Sequence, residues 1–201
     1  MFGRSYFRSK KIIKGKSKII IIVEDLQKLK YPIGQFNGPE KITKVEIDSW
    51  ILELETLPNK LELLVGVLTD NQLDTVYRPG GWTVRQVVHH ISDSHHNSYL
   101  RFKWALTEDK PLIKAYYEDR WAELFDSKTA PIQMSLNHLK AIHVKLVYLL
   151  KGLSLADLQK SFIHPEDNLE YTLAFNVGKY AWHGNHHYAH IENLLKRENW
   201  I

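Results

Sequence analysis

WHGNHHYAHI, residues 182–191, holds two pairs of histidines four apart, His183 with His187 and His186 with His190. Residues at that spacing lie one above the other on a helix, so either pair could close on one ion. The flanking sequence is helical in period: Leu173, Val177, Tyr180, Gly184, Ile191 and Leu195 form one apolar stripe at about 100° per residue. His187 sits nearest that stripe and His183 on its flank. His190 points close to His183, and His186 points furthest away. Metal sites in bundles are built from inward-facing side chains, so His183 and His187 are the candidate ligands, with His190 beside them. Gly184 follows His183, so the H-E-x-x-H motif of zincin-type proteases is missing.

Outward from this helix, predicted over Thr172 to Arg197, three more amphipathic segments appear. One runs from Val45 to Leu68, with Pro58 able to start a second helical piece. The next runs from Thr83 to Leu106, its start marked by the Thr83-x-x-Gln86 capping box. A third follows Pro131 and ends at Leu150, closed by Gly152. A short helix is expected near Asp119–Phe125. Ser161–Tyr171, around His164-Pro165-Glu166-Asp167-Asn168, is expected to be a turn between two strand-like pieces. The fold class is therefore all-α: a four-helix bundle with long connections and a short β-like hairpin before the last helix.

The 201 residues are enough for one domain with a real core. Cysteine is absent, which excludes disulfides, thiolate ligation and Cys nucleophiles and leaves imidazole, carboxylate and water to hold any metal. No apolar run approaches the roughly 20 residues of a membrane helix. The net charge of +4 misleads. Seven of the 27 basic groups lie in residues 1–18, which carry no acid, leaving 20 basic against 23 acidic in the body. Without a basic stripe there, nucleic-acid and membrane partners are not expected, and the cytoplasm is.

Residues 1–27 read as a basic, disordered extension and 28–201 as the bundle. Ile19–Val23 is too short for a signal-peptide core. Residues 1–22 are either a true tail or lie upstream of the real start, with Val23 or Leu26 able to supply a non-AUG codon. Under both readings residues 1–18 are expected to be poorly ordered.

The eleven histidines offer a third ligand on the second helix. Val84, Val87, Val88, Ile91, Ser98 and Phe102 define its apolar face. His95 falls in the middle, His90 on the flank, and His89 points away. The wheel leaves His90 and His95 as rivals, with a hydrogen-bonded core role the ordinary reading for His95. His89, His96 and His186 read as solvent-exposed, and His138, His143 and His164 as surface or packing residues.

GGWTVRQVVHHISDSHHNSYLRFKWALTE (80–108) and YAWHGNHHYAHIENL (180–194) resemble the YfiT-type metal-dependent hydrolases of the DinB-like superfamily. YPIG near residue 31, DSKTA at 126–130 and HPE at 164–166 extend the likeness from about residue 28 to the C-terminus. The resemblance implies one divalent metal, zinc first and nickel second, held by three histidines: the second of the HH pair on the second helix and two four apart on the fourth. Those are His90, His183 and His187. Asn185 departs from the usual HxHHH pattern without touching a proposed ligand.

Three imidazoles leave a coordination position open, as catalytic sites require. An open cation can lower the pKa of bound water or stabilise a thiolate. The family therefore implies hydrolysis, or transfer of a low-molecular-weight thiol such as bacillithiol to an electrophile. Thiol transfer is favoured chemically, because no carboxylate sits at an obvious general-base position. Asp93, one turn after His90, is the nearest catalytic candidate, or else orients a ligand. A metal-stabilised interaction module without catalysis is the alternative. A small-molecule substrate fits the enzymatic readings, and a homodimer fits every reading.

Overall fold

The computed structural model describes residues 26–201. The expectations for residues 1–22 lie outside that range. In chain order the elements are α1 (Lys44–Val65), α2 (Asp70–Leu73), α3 (Val84–Thr107), α4 (Glu118–Ala122), α5 (Phe125–Thr129), α6 (Ile132–Lys151), α7 (Leu155–Leu158), β1 (Ser161–Ile163), β2 (Glu170–Thr172) and α8 (Leu173–Arg197). Among the described residues the fold is all-α apart from the antiparallel pair β1–β2, registered Ser161 to Thr172 and Ile163 to Glu170.

Local chemistry sets the helix starts. At α3 the Gln86 amide N–H donates to Thr83 Oγ1 (3.2 Å), and the Thr83 N–H donates to Gln86 Oε1 (2.9 Å). Thr43 and Glu46 make the same reciprocal cap at α1. At α8 Thr172 Oγ1 accepts from the Phe175 N–H.

The four long helices pack with α1 and α3 on opposite corners, each flanked by α6 and α8. Helices consecutive in the chain, α1 then α3 and α6 then α8, are thus diagonal partners. The chain must cross the bundle end twice, which is why these connections are long. The same order sets α3 beside α8, and so His90 beside His183 and His187. Gly178 and Gly184 let α8 approach α1 closely. A Cβ on Gly178 would lie 2.8–2.9 Å from three Trp50 ring carbons, and one on Gly184 would lie 2.3 Å from Leu57 Cδ2.

The core has two apolar halves. One gathers Ile51, Leu54, Phe102, Leu146, Leu173 and Val177; the other gathers Leu57, Leu61, Ile91, Leu139, Ile191 and Leu195. Histidines occupy the layer between them: His95 between Ile91 and Phe102 on α3, His143 between Leu139 and Leu146 on α6, and half-buried His183 with buried His187 between Val177 and Ile191 on α8.

Two local expectations are corrected. Pro58 does not divide α1, which runs unbroken through it. The proline has no N–H for the Leu54 carbonyl, and His143 Nδ1 donates to that oxygen instead, at 2.5 Å. The single helix expected near Asp119–Phe125 is two short ones, because Leu124 is extended (φ −65°, ψ 155°).

Candidate metal centre

His90, His183 and His187 each offer a ring nitrogen, and the three atoms lie within 4.8 Å of one another. His90 comes from the second turn of α3, behind the Thr83 cap. His183 and His187 come from consecutive turns of α8. His90 Nε2 and His183 Nε2 are 3.2 Å apart. Two imidazole nitrogens sharing a tetrahedral zinc at roughly 2.0–2.1 Å would be about 3.3 Å apart, so this pair already stands at the separation an ion needs. Among the described residues no acidic side chain joins the trio.

Burial pushes the His90 imidazole down to about 4. His183 and His187 are held well below the usual histidine range, chiefly by burial and then by the neighbouring histidines. All three are therefore neutral at pH 7 and present lone pairs, the form a metal requires. Trp82 covers them: its ring centroid is 4.7 Å from that of His90, and its plane is nearly parallel to that of His187.

The trio opens into a pocket of about 320 Å³. Its far walls come from connections rather than from the long helices. Tyr116, Glu118 and Asp119 lie in and before α4, and His164 and Glu166 in the β1–β2 turn; Ser94 and Arg101 of α3 complete the wall. Burial raises the Tyr116 phenol, so it stays protonated. The Arg101 guanidinium lies beyond 4 Å of every carboxylate among the described residues, and its buried Nε has no partner.

Of the two rivals on α3, His90 joins the trio. His95 is fully buried one step behind it, bonded to His143 Nε2 through Nδ1 (2.9 Å) and to His183 Nδ1 through Nε2 (3.3 Å). His190 lies beside His187, as the wheel indicates, at 3.4 Å between Nδ1 atoms. Asp93 is absent from the pocket wall. Its carboxyl is pushed up to about 6 by burial and then by Asp126.

The exposure expected for His89 and His186 is wrong, since both are buried. His89 Nδ1 meets Ser135 Oγ at 2.7 Å, while His186 is stacked on Trp182 and near Tyr31. His96 is half-buried against His138, 3.0 Å between ring nitrogens. A single-helix wheel cannot see the covering segments. The pocket carboxylates were also missed, although the HPE stretch at 164–166 was a usable signal.

Comparison with known proteins agrees with this geometry. The DinB superfamily model matches residues 53–191. A Bacillus cereus (strain ATCC 10987 / NRS 248) protein named "Putative metal-dependent hydrolase" is 57% identical over 172 residues, 86% of this chain and 98% of its own. A Bacillus thuringiensis subsp. konkukian protein of the same name is equally similar. The solved structure of YfiT from Bacillus subtilis, described as a probable metal-dependent hydrolase with an unusual four-helix bundle topology, superposes with a TM-score of 0.85. It is 49% identical and covers 87% of this chain and 99% of its own. With the family match spanning most of the bundle and the histidines that face its pocket, the chain belongs to the DinB superfamily.

Proposed function

We propose that this protein is a metal-dependent hydrolase of a small polar substrate, with His90, His183 and His187 as the ligands of one divalent cation, zinc or nickel. The observation that carries this is the convergence of three neutral imidazoles at the floor of a pocket walled by carboxylates. A cation there supplies Lewis acidity and makes a nucleophile reactive at neutral pH. The chain's own groups do the rest. Glu118, Asp119 or Glu166 takes the proton released by the attacking water. The protonated Tyr116 phenol and the Arg101 guanidinium face charge that develops on the substrate. Trp82 shields the histidines from bulk water.

Thiol transfer is the better chemistry only where no general base faces the site. The pocket carboxylates remove that condition, and the names of the relatives point the same way. Asp93 is given no step, because it does not face the pocket. No helix among the described residues is long and apolar enough to cross a membrane, which suits a site open to small dissolved substrates.

The test is metal analysis of protein purified without a His tag, followed by hydrolysis assays on small amides and esters. One metal per chain, with hydrolysis lost to chelator and restored by zinc or nickel, is the expected result. Thiol conjugation without hydrolysis would move the reading to transfer. A metal-free protein with neither activity would leave an interaction module.

A further inference from the structure

We infer that His143, His95 and His190 are positioning residues: they form two proton-ordered relays, each anchored on a backbone carbonyl, that hold His183 and His187 in the tautomer whose Nε2 lone pair faces the metal. This rests on reading those two residues as ligands.

A carbonyl oxygen can only accept, so the nitrogen against it must carry the proton. Leu54 is the carbonyl left without a helical partner by Pro58, and His143 Nδ1 stands 2.5 Å from it. The His143 proton is therefore on Nδ1. A neutral imidazole has one N–H, so His143 Nε2 accepts, and the atom facing it at 2.9 Å, His95 Nδ1, must donate. His95 Nε2 then accepts in turn, from His183 Nδ1 at 3.3 Å. That leaves His183 with a bare Nε2, the atom 3.2 Å from His90 Nε2.

The second relay is shorter and starts from another part of the chain. The Lys30 carbonyl lies 3.0 Å from His190 Nε2, which puts the proton there. His190 Nδ1 accepts from His187 Nδ1 at 3.4 Å, and His187 is left with its own Nε2 bare. Both chains run from a carbonyl toward the centre, and both deliver the same tautomer.

Burial keeps the order. His95 is 0% exposed, His143 2% and His190 3%, so water has little access to the three positioning rings. A ligand imidazole that donates its other N–H is fixed in orientation and made more basic. Loss of such a partner typically costs 10–100-fold in metal affinity.

Two-bond proton–nitrogen correlation spectra of the ¹⁵N-histidine-labelled, metal-free full chain read each tautomer directly. His143, His95, His183 and His187 should appear as Nδ1–H and His190 as Nε2–H. His183 or His187 found as Nε2–H overturns the proposal. A second arm measures zinc affinity by competition with a chromophoric chelator. His143→Leu should weaken binding about 10–100-fold, while His143→Gln, whose amide can both donate to Leu54 and accept from His95, should restore most of it. Equal affinities in the two variants would overturn the relay. Should His143→Leu fail to fold, the tautomer spectrum and the glutamine variant still decide. Tight zinc binding with reversed tautomers would sink the relay but leave the ligand reading standing; correct tautomers in a chain that binds no zinc would sink the ligand reading instead.

Discussion

Mild acid should unfold the metal-free bundle, and His143 allows the size of the effect to be worked from one group. Burial pushes its imidazole down to about 4, partly opposed by the bond to the Leu54 carbonyl, against the ordinary 6.5 of an exposed imidazole in the unfolded chain. Between pH 6.5 and 4 the unfolded chain binds a proton at this position that the native chain does not. Stability is therefore complete above about pH 6.5, falls as the pH drops through the window, and stops falling once the native imidazole also protonates. At pH 5 the unfolded side chain is about 1.5 units below its own pKa and the native one is still neutral. At 1.36 kcal/mol per unit this comes to about 2 kcal/mol from His143 alone. His90 and His190, both held near 4, push in the same direction. Against a total of roughly 5–15 kcal/mol for a domain, that is a large fraction. The assay is urea unfolding followed by circular dichroism at pH 7.5 and 5.0, with chelator present, for wild type and His143→Gln. Wild type should lose about 2 kcal/mol more than the glutamine variant over that interval, because glutamine does not titrate. Equal losses would refute the claim that His143 is a buried neutral imidazole.

His187→Ala should take bound metal from about one per chain to near zero, with helical content by circular dichroism unchanged, because the two apolar halves hold the fold. Collapse of the fold on chelation alone would instead indicate a structural metal. Gly184→Ala should destabilise the protein by about 1–2 kcal/mol in urea titrations: the methyl meets buried Leu57 at 2.3 Å, and overpacking outweighs alanine's better helix propensity. A gain in stability would show that α1 and α8 are not in close contact there. Of Glu118→Gln, Asp119→Asn and Glu166→Gln, at least one should lower turnover about 100-fold or more at unchanged zinc content. Full activity in all three would remove the pocket carboxylates from the proton transfer.

The bundle was legible because its signals are local. Thr83 and Gln86 mark a helix start within one turn, and the i, i+4 spacing of His183 and His187 needs only that one helix. The choice between His90 and His95 was not legible from the wheel. Both can turn inward from α3, and what separates them is the register of α8 across the bundle, which only the family resemblance supplied. His89 and His186 were misjudged for a related reason. Their outward faces are covered by residues far off in sequence, Ala130 and Ser135 in one case and Tyr31 in the other. Pro58 misled differently: a proline predicts a break only if nothing else satisfies the carbonyl four residues back, and here a histidine from α6 does so.

The division of labour in the site follows from where its parts come from. The proposed ligands and their partners sit on α3, α6 and α8, between two apolar halves, where side chains cannot drift without disturbing the core. The groups positioned to meet a substrate are carried largely by the 109–131 connection and the β1–β2 turn, outside the four long helices. Connections tolerate substitution and insertion far better than packed helices do. A change at Glu118 or Glu166 alters what the pocket can bind or deprotonate without moving the histidines. A change at His95 or His143 alters the histidines without touching the pocket wall. On the proposed reading, metal affinity and substrate choice are thus separately adjustable, and the three-histidine floor by itself indicates that a cation can be held but not which bond is broken above it.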